Sequence, residues 1–125
     1  MALRMGGASR PMGVRSCIIR NDSDQDVYIN LVYKQFEDEA ESNIAHQHDI
    51  NLSPGEAYQA VARQVVMGSA KLSADIEVIE ITPANNETMK LEQPFDGVEK
   101  IERDWLFVID NEGIHSVGRN SESGQ

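Results

Sequence analysis

Apolar and polar residues alternate with a period of two in several stretches of this chain. From residue 27, Val27, Ile29, Leu31 and Tyr33 interleave with Tyr28, Asn30, Val32 and Lys34, giving one apolar face and one mixed face. Successive side chains of a strand point to opposite sides, so the pattern predicts a half-buried strand over residues 27–36. Residues 14–20, with Cys17-Ile18-Ile19 at their centre, form a second candidate strand. Between the two lies Asn21-Asp22-Ser23-Asp24-Gln25-Asp26, dense in side chains that bond their own backbone, which predicts a hairpin. Over residues 71–78, Leu72, Ala74, Ile76 and Val78 face one way, and Lys71, Ser73, Asp75 and Glu77 the other. Ile79 and Ile81 then flank Glu80, a one-residue slip that calls for a bulge or bend near Val78 and Ile79.

The clearest local signal comes late in the chain. The strand-length apolar run Trp105-Leu106-Phe107-Val108-Ile109 is followed by Asp110-Asn111-Glu112-Gly113 and then Ile114-His115-Ser116-Val117. Turn formers ending in Gly between two such runs predict a hairpin, with Trp105, Phe107 and Ile109 anchoring the core. Pro83-Ala84-Asn85-Asn86 reads as a turn, Met89-Lys90-Leu91-Glu92 as a short strand, and residues 94–104 as a loop.

Residues 53–67 admit two readings. Ser53-Pro54-Gly55-Glu56 has the form of a capping box, and Ala57, Tyr58, Val61, Ala62, Val65 and Val66 would make one helical face ending at Gly68. Alternatively Ile50-Asn51-Leu52 is a strand, Pro54-Gly55 a turn, and Tyr58, Ala60 and Ala62 alternate along the next strand. Strand-rich neighbours favour the second reading. The expected fold is therefore mainly β, an antiparallel β-sandwich of about seven or eight strands. The alternative is an α+β domain with one helix at about 54–67. Residues 14–117 form the domain, 1–13 a disordered basic arm and 118–125 a disordered tail, both ends being small, polar and Gly-rich.

Composition changes this picture mainly through charge. The chain carries a net charge of −10, unevenly spread. Residues 1–20 hold Arg4, Arg10, Arg15 and Arg20 with no acid, and all 21 acids fall after them. A body that acidic repels phosphate backbones and anionic membranes and favours partners with a basic surface. Cys17 is the lone cysteine, so no intrachain disulfide forms, and in its apolar run it reads as a small hydrophobe. No run reaches the length of a spanning helix. The Arg-bearing start shares its composition with organelle transit peptides, but Gly6, Gly7 and Pro11 break the amphipathic helix those require, so the expectation is a cytoplasmic protein. Asn21, Asn51 and Asn86 stand in sequons that, without secretion, serve as turn chemistry.

Two clusters suggest metal chemistry. Asp22, Asp24 and Asp26 stand at alternate positions, as oxygen ligands do at the start of a calcium loop. The helix–loop–helix pattern fails at Val27 and Tyr33, where Gly and Glu belong, so calcium would need Asp96 or Asp110 brought to the same end of a sandwich. His46 and His48 share a face if extended and could grip zinc with His115, Glu39 or Glu41 as third ligand. The competing reading of both clusters is solvated loop chemistry with no cofactor. No nucleophile elbow, phosphate loop or cysteine–base pair is present, so nothing argues for an enzyme. The acidic stretch 37–49, with Glu37, Asp38, Glu39 and Glu41, is either a charged insertion or a short helix using Phe36, Ala40 and Ile44. With the turn 22–26 it forms the expected partner-binding surface of a non-catalytic, adaptor-like interaction module.

The order of strand, Asn-x-Ser turn at Asn21-Asp22-Ser23, strand, long loop and Leu52-Ser53-Pro54-Gly55 resembles the openings of several sandwich families. Among them are the β-domain of the von Hippel–Lindau protein, the adaptor-binding repeats of bridge-like lipid-transfer proteins, and the actinoporins. For the actinoporins the resemblance extends to Pro94-Phe95-Asp96 and Trp105 and implies a membrane- or lipid-binding sandwich. The aromatic headgroup patch and the amphipathic first helix of that family have no counterpart in this chain. A pattern shared by unrelated families implies an architecture and no one activity.

Overall fold

Burial follows the alternation closely enough to build the fold from it. The computed structural model describes residues 11–85 and 87–119, and among them every regular element is a strand. The expected arm and tail therefore fall largely outside the described residues, as does the sequon at Asn86.

A first sheet holds β3 (Val27–Tyr33) and β9 (Ile76–Pro83) at its centre, with β5 (Gln47–Leu52) and β10 (Met89–Glu92) at its edges, antiparallel throughout. A second sheet runs β13 (Gly113–Arg119), β12 (Trp105–Asp110), β2 (Cys17–Asn21) and β6 (Ala57–Ala60). Its outer pairs are antiparallel and its central pair, β2 with β12, is parallel. Ile29, Leu31, Ile79 and Ile81 of the first sheet and Cys17, Ile19, Phe107 and Ile109 of the second join one core cluster. These two sheets make the sandwich of eight strands. A ribbon of β4 (Glu41–Ser42), β7 (Arg63–Met67) and β8 (Ala70–Ala74) extends from one end, and β1 (Gly13–Val14) pairs in parallel with β11 (Ile101–Glu102).

Trp105 and Phe107 are buried as expected, Phe107 with Phe95 edge-on at 5.0 Å between ring centroids. The indole N–H of Trp105 donates to Ser116 Oγ at 2.9 Å, so its one polar atom is satisfied. The hairpin of β12 and β13 forms where expected, and Asp110 Oδ1 accepts the N–H groups of Glu112 and Gly113 across its turn. Residues 53–67 take the strand reading. Gly55, at φ 87°, supplies the left-handed residue of a Pro-Gly turn closed by Glu56 N–H to Ser53 O at 3.0 Å. Glu56 Oε1 accepts the N–H of Ser53 at 2.7 Å, so the side-chain half of the capping box survives in a turn with no helix after it. Gly68, at φ 60°, opens the two-residue turn between β7 and β8.

Several local expectations need correction. The 22–26 turn closes no hairpin, because β2 and β3 lie in different sheets and the turn crosses between them. The expected strand over residues 71–78 is two strands in two sheets, broken at Asp75, whose backbone O accepts the N–H of Lys34. The register shift opposite Val32 and Tyr33 falls at Glu77, within two residues of the predicted slip. Residues 36–46 form no helix and hold the short strand β4, while His48 and Asp49 belong to β5 instead of a loop. The last strand continues through Gly118 and Arg119, beyond the expected start of the tail.

Cys17 is buried with no exposed surface, and that burial pushes its thiol well above the ordinary range. A thiol reagent such as Ellman's should leave the native protein unlabelled and modify Cys17 at the rate of unfolding; fast labelling of folded protein would contradict the packing. Phe107→Ala should cost about 3–5 kcal/mol in urea denaturation, because Phe95 and the sheet opposite cannot collapse into the space.

Candidate functional site

The strands deliver charge to the two ends of the sandwich in different ways. At one end β2 stops at Asn21, β3 starts at Val27, β5 and β6 are joined at 53–56, β9 and β10 at 84–88, and β12 and β13 at 111–112. Four connections therefore share this end, and they carry Asp22, Asp24, Asp26, Glu56, Glu87 and Glu112, with Asp110 at the tip of β12.

Asn21 ties these connections together. Its side chain is buried; Nδ2 donates to the carbonyls of Gln25 at 2.9 Å and Leu52 at 3.0 Å, and Oδ1 accepts Ser23 N–H and Ser23 Oγ–H. Its backbone bonds Glu56 and Gly55. Asp22 N–H donates to Ile109 O, Asp24 N–H to Asn111 Oδ1 at 3.1 Å, and Asn85 N–H to Gln25 Oε1 at 2.9 Å. The aspartates thus stand on a loop whose backbone is fixed on three sides, with their carboxylates in solvent.

Two bases lie within this end. Arg20 clasps Asp22 at 3.0 Å, and His115 Nε2 bonds Asp110 Oδ2 at 3.0 Å. The His115 bond, with the N–H groups of Glu112 and Gly113, holds the Asp110 carboxyl below its usual range. Asp110, Glu112 and His115 place three potential ligand atoms within 4.8 Å of one another, the group of this kind found among the described residues. Asp22, Asp24 and Asp26 are not part of it. The structure brings them to the same end as Asp110, as a calcium site would require, but their oxygens do not converge with it; Asp96 lies away from this group, its carbonyl accepting Ser116 Oγ–H.

The other candidates resolve differently. His48 Nε2 lies 2.8 Å from Ala45 O, its ring 5.7 Å from that of Tyr33. Neither His46 nor His48 forms a three-ligand group with Glu39, Glu41 or His115 among the described residues. Glu37, Asp38 and Glu41 are exposed, whereas Glu39 turns inward. It meets Arg63, which is 2% exposed, through a two-pronged bond of 2.6 and 2.9 Å, and its Oε2 also accepts the N–H of Phe36. Arg63 additionally donates to the carbonyls of Ile44 and Lys34. It thereby fastens both ends of the 34–44 segment, and the Arg63 hydrogen bond pulls the Glu39 carboxyl down to about 2.

Sequence reasoning missed Arg63, since alternation through Tyr58, Ala60 and Ala62 puts it outside. The break at Val61 and Ala62 reverses the phase, so Arg63 and Val65 point inward. The only sequence signal was its shared parity with Val65.

Of the surface hollows, one of about 310 Å³ is lined by Met12, Gly13, Gln93, Pro94, Phe95 and Val98, none of them charged. No family model, curated protein or solved structure matches the chain.

Arg63→Met should destabilise the protein by about 3–5 kcal/mol, since it strands a carboxylate and two carbonyls. Arg119→Met, which removes the solvent-exposed partner of the buried Glu102, should cost less than Arg63→Met in the same assay, because only one side of that pair is out of water. Because the folded-state pKa of Glu39 is depressed from 4.5, its contribution is complete above that value and fades as the pH falls towards about 2. The stability gap between wild type and Glu39→Gln should narrow over that interval; a gap constant with pH would show that the ion pair carries no net stabilisation.

Proposed function

We infer that this domain is a non-catalytic interaction module whose working surface is the acidic end built by residues 22–26, 53–56, 84–85, 87–88 and 110–112, and whose partner presents basic residues. The observation that carries this reading is the Asn21 hub. It fixes the backbone of several acidic connections while leaving their carboxylates solvated, so the field is held in place without ordering costs on binding. Opposing charge on a rigid surface raises the encounter rate and favours register over raw affinity. The 34–44 segment, tethered by Arg63, serves the fold, and its exposed Glu37, Asp38 and Glu41 are secondary contacts at most.

A metal-dependent version has a narrower basis, the cluster of Asp110, Glu112 and His115, whose mixed N and O donors suit zinc better than calcium.

A lysine homopeptide, titrated by fluorescence anisotropy at ~0.05 M and ~0.5 M salt, tests the reading. Binding should weaken strongly at the higher salt, and Asp24→Asn/Asp26→Asn/Glu112→Gln should reproduce that loss at low salt. Equal loss from Glu37→Gln/Asp38→Asn would move the surface to the other end, and salt-independent binding would overturn the electrostatic account. A melting temperature raised by zinc and lost in His115→Gln would favour the metal version instead.

A further inference from the structure

The outward side of the second sheet carries more information than its acidic tip. Core-facing positions on β2 and β12 are Cys17, Ile19, Trp105, Phe107 and Ile109, so Ile18, Arg20, Leu106 and Val108 face away from the core. Ile18 pairs directly with Leu106, and Val108 sits between Arg20 and His115. Val117, displaced by the bulge in β13, adds a side chain that is 56% exposed. One row further on stand Asp22, Asp110 and Glu112. Because β2 and β12 run in parallel, both lead from aliphatic residues to aspartates in the same direction. The face therefore grades from aliphatic to charged over the length of the strands, with Arg20 bonded to Asp22 and His115 to Asp110 between the aliphatic rows and the acidic tip.

The first sheet lacks this gradient. Its outward positions include the aliphatic pair Val32 and Val78 and the exposed Tyr28, but Asn30, hydrogen-bonded to Asp49, and Glu80 and Thr82 on the neighbouring strand interrupt the path from that pair to the acidic end. Both sheets therefore carry half-buried aliphatic residues on the water side, and the second is distinguished by Val108, which brings them to within one row of the acidic tip.

We propose that this face seats a cationic amphipathic segment of a partner protein, apolar over Ile18, Leu106 and Val108 and basic where it meets Asp110 and Glu112. Charge selects this occupant. A second copy brings another −10, and phosphate backbones or anionic bilayers are repelled by the same field, whereas a basic end is drawn to it. The proposal rests on the acidic end being an interaction surface and adds the half of the partner that charge alone does not specify.

The test uses the full chain and two labelled synthetic peptides of equal length, one alternating Lys and Ser throughout, the other alternating Leu and Ser in its first half and Lys and Ser in its second. The mixed peptide should bind about tenfold more tightly, the return on covering two or three aliphatic side chains. Leu106→Thr/Val108→Thr keeps strand-forming side chains and should abolish that preference while leaving binding of the lysine peptide unchanged. Val32→Thr/Val78→Thr, on the outward side of the first sheet, should leave both unchanged. A preference that survives Leu106→Thr/Val108→Thr, or vanishes equally in Val32→Thr/Val78→Thr, overturns the proposal. So does equal affinity for the two peptides, which would leave the acidic surface standing, whereas failure of the lysine peptide itself would remove that surface. Cosedimentation with phosphatidylcholine vesicles, or a dimer in sedimentation velocity, lost in either case in Leu106→Thr/Val108→Thr, would replace the peptide with a lipid surface or a second copy.

Discussion

Asn21 carries a side-chain amide out of water at the point where the chain leaves one sheet for the other. A buried amide without partners costs kilocalories, so its donors and acceptor must be met from nearby backbone. The groups that meet them belong to Ser23, Gln25 and Leu52, and Asn21's own peptide groups bond Gly55 and Glu56. Satisfying one residue therefore fixes the spacing of the loops around it. The acidic surface takes its shape from this requirement, since the carboxylates project from backbone that cannot move independently.

Arg63 imposes the same discipline at the other end with opposite chemistry. An arginine at 2% exposure must spend its donors, and it spends them on Glu39 and on the carbonyls of Lys34 and Ile44. The two ends differ in what remains in solvent. Around Asn21 the bonded atoms are neutral amides and hydroxyls, so no carboxylate is consumed in the hub itself, although Arg20 pairs with Asp22 and His115 with Asp110 at the surface. Around Arg63 a carboxylate is consumed in closing the structure. That contrast, more than the number of acids at either end, separates the solvated acidic end from a tether.

The sheets were legible wherever burial alternates without interruption, as in β3 and β12, where each inward residue is apolar. Legibility failed where the phase breaks. Val61 and Ala62 hid the inward turn of Arg63, and Asp75 divided what reads as one strand into members of two sheets. Local pattern also could not tell a hairpin from a crossing at residues 22–26, because both need the same turn-forming side chains. The difference lies in Asn21, whose burial depends on Leu52 and so on sequence far away. Of the site, the aspartates were visible as a motif. Their arrival beside Asp110 was not, because it depends on which strands pair.

The parallel pairing of β2 with β12 has a consequence for how the molecule comes into being. Ser16 and Asp104, which close the start of that pair, are 88 residues apart. On a ribosome β2 must wait, its edge towards β12 unpaired, until residues 105–110 have emerged. Its antiparallel neighbour β6 arrives sooner but is only four residues long and borders one side. Folding is thus held back to a late, nearly all-at-once event of the slow kind that distant contacts impose. Chains that end before Trp105 lack the parallel partner of β2 and leave that edge open to pairing with other strands.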